Sequence, residues 1–239
     1  MSESKLKQAR AEWSVGIGFP CGANVPWQTT MSLARTVHLL AVLGIPANIH
    51  AIAGSSDVVI ARDIVLDNYL ADQERFLFWI DSDIAWQPED FVKVLRLTKE
   101  LGLVSAAYPL KRDPPDCIVN FADAKPTIDE RTGCVEIASL GLGFTCVRRD
   151  LLDAFAATKG KIYHDGNGRL IIDAFRRDKE LRADGHMHGV GEDAAFFMDM
   201  RGLGFKAWLD PTIQLDHVGP KAYRMPLEVL GDSITNQQP

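Results

Sequence analysis

Five consecutive apolar residues, Phe76-Leu77-Phe78-Trp79-Ile80, run directly into Asp81-Ser82-Asp83. Successive side chains of a β-strand point to opposite faces, so a strand that is apolar at every position is buried on both sides. Such a strand needs a sheet covered on each face, and the helical segments that flank it in sequence can supply the cover. Two carboxylates at its end then stand where open α/β sheets collect their ligands, beyond the carboxyl ends of the strands.

The neighbouring chain alternates in the same sense. Trp13 to Phe19 reads as a short buried strand, followed by the loop Pro20 to Pro26. Thr30 to Leu43 carries apolar residues at helical spacing, and Gly44 closes it as a glycine beyond a last turn does. Ala47 to Ala53 reads as a strand, Gly54 to Asp57 as a turn with N-cap side chains, and Val58 to Leu70 as a helix. Pro88-Glu89-Asp90 opens a helix to about Leu101, with proline and acids in the first turn, and Leu103 to Ala107 is a fourth strand. This repetition predicts an α/β fold with a mostly parallel central sheet flanked by helices.

The second half is less regular. Cys117 to Phe121, Val135 to Ser139, Phe144 to Val147, Lys206 to Leu209 and Thr212 to His217 read as strands. Arg149 to Ala157 and Glu192 to Gly202 read as helices, Lys159 to Gly168 as a polar loop, and the chain after Gly219 as a weakly structured tail. No segment has the composition of a linker, so one domain over residues 1–239 is expected.

Composition narrows the function classes. With 46% apolar residues in 239, the chain can bury a sizeable core. A formal net charge of −6 argues against broad attraction to nucleic acid or anionic membrane. Cys21, Cys117, Cys134 and Cys146 form no CxxC pair and no Cys/His cluster, which fits reduced thiols. The polar first thirteen residues lack a signal-peptide core, and no apolar run has the roughly 18 residues of a membrane span. The expectation is a soluble, cytoplasmic protein.

Carboxylates one residue apart at a strand end are costly unless a cation neutralises them. A divalent ion with oxygen ligands does so, and Mg²⁺ or Mn²⁺ suits carboxylates combined with a diphosphate. A solvated acidic turn capping the next helix is the competing reading. The segment FLFWIDSDIAWQPEDFVKVL resembles the strand, DxD motif and following helix of glycosyltransferases with the GT-A fold, in particular small family 2-like members of phages and bacteria. The resemblance extends from the first strand to about His217. It implies a metal-dependent hexosyltransferase acting in the cytoplasm, which would be the host's if a phage encodes it. The nucleotide-binding half would span about 12–110, the acceptor-binding half about 111–220, and a flexible tail 221–239.

The same resemblance assigns roles. Asp83 and Asp81 would contact Mn²⁺ or Mg²⁺, with Asp81 alternatively touching the donor ribose or sugar beside Ser82. His217, closing "FKAWLDPTIQLDHVG", would be a third metal ligand. Asp193 would be the general base that takes the acceptor hydroxyl's proton, with Glu192 as the alternative; first-turn acids favoured by the helix dipole are the bland reading. Pro20, Cys21 and Gly22 would cradle the nucleoside, and Gly143 in Gly141-Leu142-Gly143 would let backbone approach the donor sugar or acceptor. Arg62 offers a forked donor set to phosphate, and Asp63 an acceptor for base or ribose, although an exposed helix ion pair fits equally. Lys221 and Arg224 are candidates to close over the diphosphate. His186 and His188 read as an acceptor-site loop or plain surface, and Asp165 and Asp173 as possible acceptor contacts.

The donor would be a UDP- or GDP-linked sugar, and the acceptor a glycan or other hydroxyl compound. A nucleic-acid acceptor fits less well with the acidic balance. A sugar-phosphate nucleotidyltransferase is the first alternative, but Gly16 to Gly22 has no nearby Lys or Arg for a triphosphate. A non-catalytic nucleotide-sugar or glycan-binding protein is the second.

Overall fold

The computed structural model describes residues 12–163, 168–181 and 185–224, together with Leu227 and Gly231. The first half follows the expected alternation: β1 (Val15–Cys21), α1 (Trp27–Leu43), β2 (Ala47–Ala53), α2 (Val58–Ala71), β3 (Phe76–Ile80), a two-residue β4 (Ile84–Ala85), α3 (Pro88–Leu101) and β5 (Leu103–Ser105). Helix α1 begins at Trp27 rather than Thr30 and ends on Gly44, whose φ of 70° is left-handed. Helix α2 is capped by the Asp57 side chain, which accepts from Val59 N–H at 3.0 Å.

Beyond residue 110 come β6 (Asn120–Phe121), β7 (Val135–Ser139), β8 (Phe144–Arg148), α4 (Arg149–Ala156), β9 (Gly160–Tyr163), β10 (Leu170–Asp173), β11 (Asp178–Leu181), β12 (Met187–Val190), α5 (Glu192–Gly202), β13 (Ala207–Leu209), β14 (Asp216–Val218) and β15 (Ala222–Arg224). Several departures from the sequence reading fall here. The strands expected over 117–121 and 212–217 shrink to β6 and β14, and the polar stretch from Lys159 contains β9. Strands β9 and β10 pair as one small antiparallel sheet, and β11 and β12 as another. The β11–β12 pair is largely exposed along both strands, so it lacks the apolar alternation that marks a half-buried strand. The expected weak tail after Gly219 instead opens with β15, which pairs with β14. The rest of that tail lies outside the described residues, apart from Leu227 and Gly231.

The main sheet has the order β2-β1-β3-β8-β5-β13-β7-β6. Strands β1, β2 and β3 are parallel, while β8 runs antiparallel between β3 and β5. β13 lies parallel to β5, and β7 runs antiparallel between β13 and β6. Only β8 and β7 therefore oppose the common direction, and the mostly parallel sheet holds.

Each face of the sheet carries its own core. Phe76, Phe78 and Ile80 pack with α1 and α3 through Leu40, Phe91 and Leu95. Leu77 and Trp79 pack with α2, α4 and α5 through Val65, Phe155 and Phe196. This division is what an all-apolar strand of period two demands. Gly16 and Gly18 face the α2 side: a Cβ on Gly18 would lie 2.9 Å from both Trp79 Cε3 and Val65 Cγ1. Their bare backbone lets α2 settle close to the sheet, which carries Arg62 toward the end of β3. No helix among the described residues is long and apolar enough to cross a membrane. All four cysteines are free thiols.

Candidate active site

Strand alternation decides where Asp81 points. Counting on from Leu77 and Trp79, Asp81 falls on the α2 side of the sheet, and Arg62 waits there. Arg62 lies in register with Val65, Leu66 and Tyr69, the sheet-facing stripe of α2, so its side chain is only 2% exposed. Its Nη2 donates to Asp81 Oδ1 at 3.1 Å. The other Asp81 oxygen accepts from the Tyr108 hydroxyl at 3.3 Å, and that hydroxyl in turn accepts from Gly143 N–H at 3.3 Å. Asp81 N–H donates to Gly143 C=O at 3.1 Å. Gly143 thus forms the floor beneath Asp81, where a Cβ would stand 2.5 Å from Oδ2. The glycine is needed for this approach.

Two more carboxylates reach Arg62 from the first turn of α5. Asp193 Oδ1 lies 2.9 Å from Nη2 and Glu192 Oε1 3.8 Å. The Asp193 contact is close enough for strong attraction, but its alignment does not make a hydrogen bond, so Asp193 Oδ1 is buried without a hydrogen-bond partner, as are the other guanidinium nitrogens, Arg62 Nε and Nη1. Burial lowers the tendency of Arg62 to hold its proton, yet Asp193, Asp81 and Glu192 together outweigh it and push its pKa upward. Burial raises Asp193; Arg62 opposes the shift, and Asp81 and Glu192 add to it.

Asp83 is held differently. The three-stranded sheet β4-β14-β15 brings His217 opposite Ile84, beside the acidic triplet. Val218 N–H donates to Asp83 C=O at 2.7 Å. His217 Nε2 lies 3.4 Å from Asp83 Oδ1, and Lys111 Nζ lies 2.5 Å from Oδ2. His217 Nδ1 lies 2.8 Å from the Pro109 carbonyl, which can only accept, so Nδ1 carries a proton. In the neutral ring, Nε2 then presents a lone pair to a carboxylate oxygen. Two facing acceptors need a proton or a metal ion between them, and a Pro109-anchored imidazole is a common way to orient a metal ligand. Burial raises the Asp83 pKa, but His217, when its ring is protonated, and Lys111 outweigh it and bring it to about 2, so the carboxylate stays charged.

Arg62, Asp81, Asp83, Tyr108, Glu192, Asp193 and His217 line one cleft of about 430 Å³, together with Pro20, Cys21, Gly22, Ser82 and Arg177. A second cavity of about 250 Å³, walled in part by Leu110, Ile118 and Leu140, meets the first at Tyr108 and Asp193.

The expected residues therefore divide. Pro20, Cys21, Gly22, Arg62, Asp81, Ser82, Asp83, Glu192, Asp193 and His217 converge on the cleft. The expected metal trio does not gather into one compact set, because Arg62 and Tyr108 turn Asp81 aside while Asp83 meets His217. Asp63 does not enter the cleft: it is fully buried, and its Oδ1 accepts from Ala174 N–H and Phe175 N–H at 2.9 Å each. Lys221 pairs instead with Asp113 at 2.5 Å, and Arg224 with Asp216 at 2.5 Å. Gly143 lies under Asp81 and is not among the lining residues. His186, His188 and Asp173 also lie off the cleft wall, and Asp165 falls outside the described residues. Sequence reasoning missed Tyr108, Lys111 and Arg177. Tyr108 had a signal, since it follows a predicted sheet strand at its carboxyl end.

No protein-family model matches the chain, and no curated protein sequence matches it. Solved structures do. A crystal structure of GalNAc-T7 with UDP, GalNAc and Mn²⁺ superposes over 89% of this chain with a TM-score of 0.51 at 9% identity. This chain spans 44% of that structure's length. A 4-diphosphocytidyl-2C-methyl-D-erythritol synthase from Anaerococcus prevotii aligns over 70% of this chain and 83% of its own, with a TM-score of 0.34 at 12% identity. The α/β architecture is GT-A-like, as the first of these likenesses shows at the level of fold.

Proposed function

We propose that the protein is a metal-dependent glycosyltransferase, moving a hexose from a UDP- or GDP-linked donor to an acceptor hydroxyl. The observation that carries this reading is the set of four carboxylates at the carboxyl ends of the sheet strands, with His217 Nε2 3.4 Å from Asp83 Oδ1. Asp83 and His217 are the residues that would hold Mn²⁺ or Mg²⁺, with Asp81 joining if Arg62 releases it. A divalent ion there would offset the charge of the departing diphosphate.

The protein's own groups do the rest. Pro20, Cys21 and Gly22 form the wall suited to the nucleoside, and Arg62 has two nitrogens left without hydrogen-bond partners beside the same cleft. Asp193 borders both cavities, so it can take the proton of a hydroxyl entering from the smaller, more apolar one. The hydroxyl oxygen then bonds to the anomeric carbon as the bond to the diphosphate breaks. That GalNAc-T7 was crystallised with UDP and Mn²⁺ supports the choice of ligand class.

Turnover of UDP- and GDP-sugars with Mn²⁺, measured for the native chain and for Asp83→Ala, tests the reading. We expect the substitution to reduce activity by about 100-fold or more. Full activity in Asp83→Ala would reject it.

A further inference from the structure

We propose that His50, Asp72 and Glu74 form a separate binding site for a divalent transition-metal ion of the Zn²⁺ type. They lie at the end of the sheet opposite the cleft: His50 on β2, Asp72 at the C-cap of α2 and Glu74 in the turn leading to β3. The inference does not depend on the glycosyltransferase reading.

The three residues can each aim one ligand atom so that all lie within 4.8 Å of one another. His50 Nε2 stands 3.9 Å from Asp72 Oδ2 and 3.8 Å from Glu74 Oε1. Those gaps are too long for hydrogen bonds. Two ligands each about 2.1 Å from one ion, at tetrahedral or trigonal angles, lie roughly 3.4–3.6 Å apart, so contraction by a few tenths of an ångström would suffice.

A second observation is independent of the spacing. His50 and Glu74 are 7% and 6% exposed, yet His50 Nε2 and Glu74 Oε2 have no hydrogen-bond partner. A buried imidazole nitrogen left unsatisfied is costly, and a cation shared with the Glu74 carboxylate, whose Oε1 faces it, would satisfy it. Among the described residues no lysine or arginine pairs with either carboxylate. Arg149, which comes near, bonds the Asp72 carbonyl and the Asp153 carboxylate.

The surroundings support the geometry. Asn48 Nδ2 donates to Glu74 Oε1 at 2.5 Å, and Tyr69 hydroxyl donates to Glu74 C=O at 3.0 Å, fixing the carboxylate and its backbone. Gly16 leaves room for the His50 ring, since a Cβ there would lie 3.0 Å from Nε2. Asp72 is half exposed and borders, with Ser14, Asn48 and Glu74, an open cavity of about 420 Å³. The cavity provides an entry path and space for water to complete the coordination. One histidine and two carboxylates with an open position suit Zn²⁺. The ion would tie the C-terminal end of α2 to β2.

Calorimetric titration of the chelator-treated, full-length protein with Zn²⁺ tests this, carried out in the double variant Asp83→Ala, His217→Ala so that both metal-holding residues of the cleft are removed. We expect one Zn²⁺ per chain, with affinity falling about 10-fold or more on adding Asp72→Asn or Glu74→Gln. Co²⁺ in place of Zn²⁺ should give a visible absorption band that both added substitutions diminish. Asp72→Asn changes an exposed side chain, and circular dichroism establishes that each variant is folded. Absence of binding in the double variant, or binding unaltered by both added substitutions, would overturn the proposal.

Discussion

Arg62 shows how much one side chain can organise. It is nearly sealed from solvent and faces Asp81, Glu192 and Asp193. Removing one partner of a buried ion pair leaves uncompensated charge, at about 3–5 kcal/mol. For Arg62→Met we expect the lower end, about 3 kcal/mol by urea denaturation, because Asp81 and Asp193 keep roughly a quarter of their side-chain surface. A change within 0.5 kcal/mol, on the order of an ordinary surface substitution, would contradict this account. Asp63 makes a separate prediction. Burial raises its pKa from 3.8 to about 6, although backbone N–H groups of Phe175 and Ala174 pull it down. The folded state therefore binds the proton more tightly than the unfolded state. This group's contribution to stability is largest below the unfolded value and is lost as pH rises through about 6. A shift of about two units corresponds to roughly 3 kcal/mol. Asp63→Asn keeps an oxygen for the two N–H donors and has no such titration. The stability of the native chain relative to this variant should fall by that order between pH 4 and pH 7. A pH-independent difference would refute it.

At the scale of elements, the site depends on how closely α2 lies against the sheet. Gly16 and Gly18 occupy alternate positions of β1 and so face the same side, toward Tyr69 and Val65 of α2. Gly18→Ala should overpack this contact and cost about 1–3 kcal/mol, measured by thermal or urea unfolding. Gly160→Ala is the comparison, since a Cβ there meets nothing within 4 Å. Equal stability of the two variants would show that the close approach is unimportant. The triplet, α2 and the first helical turn of α5 meet at the ends of their own elements, so rigid secondary structure sets the distances within the Arg62 cluster. The β14 strand does the same for His217.

For the molecule as a whole, the proposed function calls for a nucleoside diphosphate brought in with a divalent cation that offsets its charge beside the cleft acids. In a thermal-shift series, UDP or GDP with Mn²⁺ should raise the midpoint, and either component alone should do less. A ligand at 100 times its dissociation constant adds about 2.7 kcal/mol, which for a chain of this size corresponds to several degrees. No shift with any nucleoside diphosphate and Mn²⁺ would argue against the whole reading of the cleft. Much of the fold was legible beforehand because β3 is apolar throughout and the flanking segments alternate. The burial of Arg62 was not, since the sequence fits an exposed helix ion pair equally well and only the packing of α2 against the sheet seals the side chain. The β11–β12 pair was not, because its exposed residues have no periodic burial to reveal. Lys111 was not, because nothing local ties it to Asp83, 28 residues away in sequence.

The amino-acid sequence by itself determined the layered α/β order, the doubly buried central strand and the carboxylates at its end, since these follow from local periodicity and side-chain polarity. The tertiary structure alone decided which partner meets which carboxylate. Arg62 takes Asp81 and the α5 acids, Lys111 and His217 take Asp83, and Asp63 is spent on the backbone of Ala174 and Phe175. Those choices depend on distances between elements far apart in the chain, and Coulomb attraction and hydrogen bonding act only once the packing has brought the groups within a few ångströms.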